Sequence, residues 1–275
     1  MAVAVVLTGT AAAILIDARW IGVQDAHREI EAISALLTAL PALLGMFIAA
    51  PLISGEFERG TILLAWTQSV SRLRWATMKL ALCLAAVVVA SAALSALVAW
   101  WRAPIDPLSS GLWPGFDIEG IVPVAYTVFA FAVGIASGLV LRRTVPAMAV
   151  TLAIFTGARV IVESNRTRFQ RLVIGSPRGL PRGSWVPGST YWADAHGHVL
   201  NLAQVNAVMS GYHGPSNGSG ADVFTYMHQH GVDLLVAYFP ADSFWSFQLI
   251  EAGIFLAAAL ALTGAALWWL KRSAV

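Results

Sequence analysis

Apolar runs alternate along this chain with short charged interruptions. A helix needs roughly 20 apolar residues to cross a bilayer. Six stretches are read as such helices: about Ala2 to Ile16, Ser34 to Ile53, Leu80 to Trp101, Ile121 to Leu141, Ala147 to Val162 and Phe244 to Leu270. The first is short and lacks the basic start of a signal peptide. Pro41 predicts a kink in the second. The interruptions differ in kind. Asp17–Glu31 is polar, Arg102–Gly120 is rich in Pro, Gly and Asp, and a long polar segment separates the fifth and sixth apolar runs. Ser54 to Lys79 is different again. It carries Glu56, Glu58, Arg59, Arg72, Arg74 and Lys79, yet Ile62, Leu63, Trp66 and Val70 recur at roughly helical spacing. Such a segment lies on a membrane surface with its apolar side down and its polar side towards a soluble partner.

The expected fold is an all-α integral membrane protein, with six transmembrane helices and one long external segment between helices 5 and 6. Residues 1–163 would hold helices 1–5 and the cytoplasmic loop 54–79. Residues 164–243 would form the external segment, and 244–275 helix 6 and its tail. Composition agrees: 58% of residues are hydrophobic and 12% charged, where a soluble domain carries about 25% charged residues. Charge sets the orientation. Arg59, Arg72, Arg74 and Lys79 mark one side; Arg142 with Arg143, and Lys271 with Arg272, mark the same side after each further pair of helices. The positive-inside rule makes that side cytoplasmic, with both termini inside. The arginines of the long segment do not overturn this, because long translocated segments largely escape the rule. Within that segment NLAQVNAVMSGY and DVFTYMHQHGVDLLVAYF are expected as short helices on a small cap. The net charge of +2 and the absence of a basic run give no sign of nucleic acid.

The candidate chemistry is sparse. No G-x-x-x-x-G-K-[ST] phosphate loop occurs, so if ATP drives this protein another chain binds it. Ser137 in GIASG lies in an apolar run, while the histidines fall in expected loops. Gly134 and Gly138 read better as a small-residue packing face than as part of a catalytic site. His196 with His198, and His228 with His230, lack a completing ligand set, so no metal site is assigned. The lone Cys83 supports no disulfide framework. Arg159, Gln248 and Glu251 are ionisable or polar groups near the expected bilayer, where burial is costly. They form either a polar path or gate, or a structural ion pair at the outer interface.

Glu56-Phe-Glu58-Arg59-Gly60-Thr61, Leu64-Ala65-Trp66-Thr67-Gln68-Ser69, and then Arg72, Trp75 and Lys79 resemble the cytoplasmic loop of ABC-2 type transporter permeases, especially an actinobacterial branch. Leu40–Gly45, Trp100–Pro104 and Phe239–Glu251 are similar to flanking segments of that branch. The resemblance implies a permease subunit in the bacterial plasma membrane, without its own ATPase site, that pairs with a second permease copy. ATP and Mg would be held by a separate ABC-family ATP-binding subunit. Glu56, Glu58, Arg59, Gly60, Thr61, Trp66, Gln68 and Arg72 would dock that subunit. Family members carry an amphipathic helix before the first membrane helix, whereas here Met1 opens the apolar run. Either that segment is missing, or the contact relies more on Glu56 to Lys79. The expected cargo is an amphipathic drug, antibiotic or lipid-like molecule. The alternative is a non-transporting membrane subunit that relays ATPase motion to the external segment or anchors an envelope assembly.

Overall fold

The computed structural model describes residues 26–60, 72–103, 111–188, 190–214 and 220–272. In chain order the elements are α1 (Ala26–Leu44), a π-helical turn (Gly45–Ala49), α2 (Ala50–Glu58), α3 (Arg72–Arg102), α4 (Val122–Leu141), α5 (Thr144–Asn165), β1 (Val173–Gly175), β2 (Thr190–Asp194), α6 (Leu202–Met209), α7 (Gly220–Gln229), β3 (Val232–Tyr238) and α8 (Ser243–Arg272). Among the described residues, five helical spans are long and apolar enough to cross a membrane: Ser34–Glu58, Thr77–Arg102, Val122–Leu141, Thr144–Arg168 and Ser243–Trp269. The expected first span, Ala2 to Ile16, lies outside the described residues.

The described residues fall into two compact units. The first holds the membrane-length helices, with α4 at its centre. The apolar window of α4 is 72% buried, against 22–28% for those of α3, α5 and α8. Those three leave apolar faces exposed, which is what lipid-facing helices need. Close approach depends on missing side chains. A Cβ on Gly134 would stand 2.6 Å from both the Ala49 Cβ and the Gly45 oxygen, and one on Gly138 would stand 2.7 Å from the Ala50 oxygen. Gly134 and Gly138 thus both lie against the π turn and α2. Ser137 is buried in the same helix. Cys83 packs beside the apolar cluster around Ile53, Val87 and Phe131.

Element boundaries depart from expectation at three places. Pro41 lies inside the continuous helix α1, and the irregularity falls later, at Gly45–Ala49. There the Ala50 N–H reaches back five residues to the Gly45 carbonyl. The widened turn precedes Pro51, which has no N–H to give and would crowd the carbonyl four residues earlier. Helix α3 starts at Arg72 rather than Leu80, and α2 runs on to Glu58. Both ends of the Ser54–Lys79 stretch are therefore helical, and residues 61–71 of it lie outside the described residues. The expected loop Asp17–Glu31 overlaps the start of α1 at Ala26.

The second unit corrects the all-α expectation. Residues 167–244 contain a three-stranded antiparallel sheet in the order β1-β3-β2. Val173 pairs with Tyr238, and Trp192 with Leu234. Helix α6 matches the expected NLAQVNAVM helix and begins with a capping box between Asn201 and Gln204. The second expected helix splits. Gly231 takes φ +74° two residues past the end of α7, a conformation that ends helices at low cost only for glycine. Val232–Tyr238 then becomes the central strand. Val232 and Met227 bury together with Val205 to form the small core. Trp113, Trp185 and Phe239 stack nearby, with ring centroids 5.0 and 5.3 Å apart.

Candidate functional site

At one end of the first unit, five elements converge on a buried ionic cluster. Helix α8 contributes Glu251, fully buried two turns past its start. The 3-10 turn after α5 contributes Arg166, whose Nε and Nη2 donate to the two Glu251 oxygens at 2.9 and 3.1 Å. That is the two-pronged geometry in which arginine holds a carboxylate best. The segment before α4 contributes Asp117, which accepts from Arg166 Nη2 at 2.7 Å. Helix α4 contributes Tyr126, whose hydroxyl donates to Glu251 and lies 3.1 Å from Asp117 Oδ1. Arg159 of α5 closes the ring. Its Nη2 lies 3.5 Å from Asp117, and its guanidinium covers the Tyr126 ring at 4.2 Å. Arg166 likewise covers Phe116 at 4.2 Å.

The charges balance: Asp117 and Glu251 face Arg159 and Arg166. Balance is what makes such burial tolerable, since an uncompensated charge in a low-dielectric interior is strongly disfavoured. Arg159 also lies 4.0 Å from Glu163, but Glu163 is over half exposed and Asp117 is nearer. Arg159 Nη1 is buried without a hydrogen-bond partner among the described residues.

Gln248 lies one turn before Glu251 and is as deeply buried, but it does other work. Its Oε1 accepts the N–H groups of Ile121 and Val122 at 3.1 and 3.0 Å. Its Nε2 donates to the carbonyls of Phe116 and Glu119 at 2.8 and 3.2 Å. A helix leaves its first N–H groups unpaired, and here a side chain from another helix satisfies them at the start of α4. Gly120, at φ +79°, must be glycine because a Cβ would stand 2.8 Å from Gln248 Oε1. Beside it Arg102 and Glu119 form a second buried pair, Nε to Oε2 3.4 Å. Sequence reasoning found Arg159, Gln248 and Glu251. It missed Asp117, Tyr126 and Arg166, because two of them sit in apparent loops and Tyr126 reads as one more apolar helix residue.

The opposite end of the first unit holds the expected docking residues. Glu56 bonds Lys79 at 2.6 Å, tying the end of α2 to the start of α3. Glu58 bonds Thr144 twice, taking its backbone N–H at 2.9 Å and its hydroxyl at 2.6 Å. Glu58 thus caps the N-terminus of α5, where negative charge is also favoured by the helix dipole. Ser54 adds a 3.2 Å contact to the same hydroxyl. The turn feeding α5 is tight: Arg142 is the only described non-glycine residue at positive φ, +52°, and its guanidinium lies 5.2 Å over Phe57. Arg59 is exposed, and its Nε donates to the Gly55 carbonyl of its own helix at 3.0 Å. Gly60 ends α2 at φ +66°. Arg72 is the first residue of α3. Thr61, Trp66 and Gln68 lie outside the described residues.

The histidine pairs do not converge. His198 faces Asp194, with ring nitrogen and carboxylate 3.2 Å apart, and His228 faces Asp233 at 2.5 Å. Among the described residues no three potential metal ligands gather. Asp194 also accepts the backbone N–H groups of His196 and His198, both at 2.9 Å. The His198 N–H, chiefly, holds this carboxyl below the ordinary aspartate range.

No curated protein and no solved structure matches the chain. The family described as ABC-2 membrane transporter related matches residues 3–166 of 275, which takes in the helices from α1 to α5 and the acidic segment at Glu56 and Glu58. With five apolar helices of membrane-spanning length, this multi-pass membrane protein belongs to the ABC-2 membrane transporter related family.

Proposed function

We propose that the chain is the membrane-spanning permease subunit of an ATP-driven transporter, exporting an amphipathic drug, antibiotic or lipid-like molecule. ATP and Mg are bound by a separate ATP-binding subunit, and a second permease copy completes the pathway. The arginine-rich end carrying Glu56, Glu58, Arg142 and Arg143 faces the cytoplasm of a bacterial cell, with both termini on that side. One observation carries the reading. The two acidic residues of the family's coupling segment are bonded to two different helices, Glu56 to α3 and Glu58 to α5. A partner that grips Arg59, Gly60 and the residues up to Arg72 thereby has a lever on both.

The mechanism follows from population shift. Two arrangements of the helices exist, and the ATP-loaded partner binds one better than the other, so it draws the helices into that arrangement. The ionic cluster at Asp117, Arg159, Arg166 and Glu251 is the gate at the far end. Its ion pairs join α5, α8 and the start of α4, so separating those elements breaks several pairs together. Opening costs most when charges part unhydrated, and water or a polar cargo head entering the gap lowers that cost.

A non-transporting role is the second reading. The folded unit at residues 167–244 favours it, since such a unit is a ready recipient of motion. One experiment separates the readings. The chain is co-purified with the candidate ATP-binding subunit, and ATPase turnover and cargo movement are measured in lipid vesicles. A stable complex whose turnover changes with this chain and with added cargo is expected. Arg59→Glu with Trp66→Glu should abolish the complex while leaving the permease folded. Undiminished binding by that variant sinks the docking claim. ATPase stimulation without movement of any amphiphile selects the relay.

A further inference from the structure

The second unit contains a cavity of about 450 Å³ between the last turns of α7 and the central strand β3. Its volume lies within the range of small-molecule sites, roughly 300–1,000 Å³. Pro177, Phe224, Leu234 and Leu235 give it an apolar wall. Phe224 is braced from behind by Trp192, with ring centroids 5.8 Å apart. An exposed aromatic held in place by a second ring loses little freedom when a ligand covers it.

The polar side of the cavity is equally specific. His228 and Asp233 both line it, and they bond to each other across the α7–β3 turn. A carboxylate can only accept, so the histidine nitrogen facing it, Nδ1, carries the proton. In the neutral ring Nε2 is then an acceptor. Asp233 keeps a second oxygen, and it is half exposed. The pair therefore offers acceptors and a negative charge beside an apolar wall. That combination suits one kind of molecule: a compact apolar body ending in a group rich in N–H donors.

We propose that this cavity is a binding site for a small amphipathic amine, with its apolar part against Phe224, Leu234 and Leu235 and its ammonium against the Asp233–His228 pair. The site lies wholly within residues 167–244, and the proposal stands whether or not the chain is a permease.

The test uses the full chain in lipid nanodiscs with a photoreactive decylamine carrying a diazirine at the far end of its chain. Crosslinked peptides are mapped by mass spectrometry, and labelling is titrated. Saturable labelling of the α7–β3 peptide is expected, displaced by plain decylamine and not by decanoic acid at the same concentration. Asp233→Asn keeps the shape and removes the charge, and it should weaken binding about tenfold, the low end for a hydrogen bond to a charged group. Labelling that never saturates, or that falls only on the membrane helices, overturns the proposal. So does equal displacement by decanoic acid, a result read on the unaltered protein. The ATPase assay is separate, so failure here leaves the transport reading standing and failure there leaves the amine site standing.

Discussion

Removing Glu251 should destabilise the first unit more than almost any other single side-chain change. Glu251 is fully buried and holds Arg166 with two bonds. In Glu251→Leu, Arg166 keeps Asp117 at 2.7 Å, but that carboxylate must now serve both arginines. Breaking a buried pair by deleting one partner costs about 3–5 kcal/mol. Asp117 is a quarter exposed, so water reaches the cluster's edge and the lower figure, about 3 kcal/mol, is the better choice. For a chain of this size that corresponds to a melting point lower by about 6–12 °C. The companion variant is Glu251→Leu with Arg166→Met. It removes both charges and leaves Asp117 with Arg159. Replacing a whole buried pair by apolar residues is often neutral or stabilising, so the double variant should recover at least half of the loss. Tryptophan fluorescence melts in nanodiscs read this directly, because the chain contains 11 tryptophans. A single variant that melts within a degree or two of the parent refutes the claim that the cluster holds α5 and α8 together. A double variant that falls as far as the single one refutes the electrostatic explanation and leaves only packing.

Three further outcomes follow from the same geometry. Gly134→Leu should abolish monodisperse expression, because even a Cβ there stands 2.6 Å from Ala49 and overpacking costs about 1–3 kcal/mol; Gly264→Ala, which meets open space, should express normally. Gln248→Leu leaves the Ile121 and Val122 N–H groups without their acceptor, at about 1–3 kcal/mol per buried group; Gln248→Glu keeps the acceptor and should fall between parent and Leu in the same melt. Asp194 has its folded-state pKa depressed, so its contribution is complete above the ordinary value of about 3.9 and is lost as pH falls through the lower folded value. The melting points of parent and Asp194→Asn should therefore differ at pH 7 and converge in acid; a gap that persists unchanged to pH 2 would refute this.

The ionic cluster shows how legibility ran out. Arg159, Gln248 and Glu251 stood out in the sequence because charged and amide groups inside apolar runs are costly, and cost implies a partner. The partners did not stand out. Asp117 and Arg166 sit in polar surroundings where charge is unremarkable, and Arg166 meets Asp117 and Glu251 across 49 and 85 positions of the chain. The glycine face was legible for a different reason. Gly134 and Gly138 are four residues apart, so helical periodicity alone places them on one side.

The sequence by itself determined what the solvent demands, five of the apolar spans, and the family to which the chain belongs. These are local, because a helix satisfies its own backbone within the segment and needs only length and hydropathy. Only the tertiary structure decided the sheet. Val232–Tyr238 is bounded by pairing with Val173–Gly175 on one edge and Thr190–Asp194 on the other, and a strand has no backbone bonds of its own to announce it. The same holds for the roles of Glu56 and Glu58. The sequence placed them in the charged stretch beyond the second apolar run, while the identities of their partners, Lys79 on α3 and Thr144 on α5, depend on how three helices pack. Local structure follows from what each residue does to its neighbours in sequence; a site follows from which distant residues the packing brings within hydrogen-bonding reach.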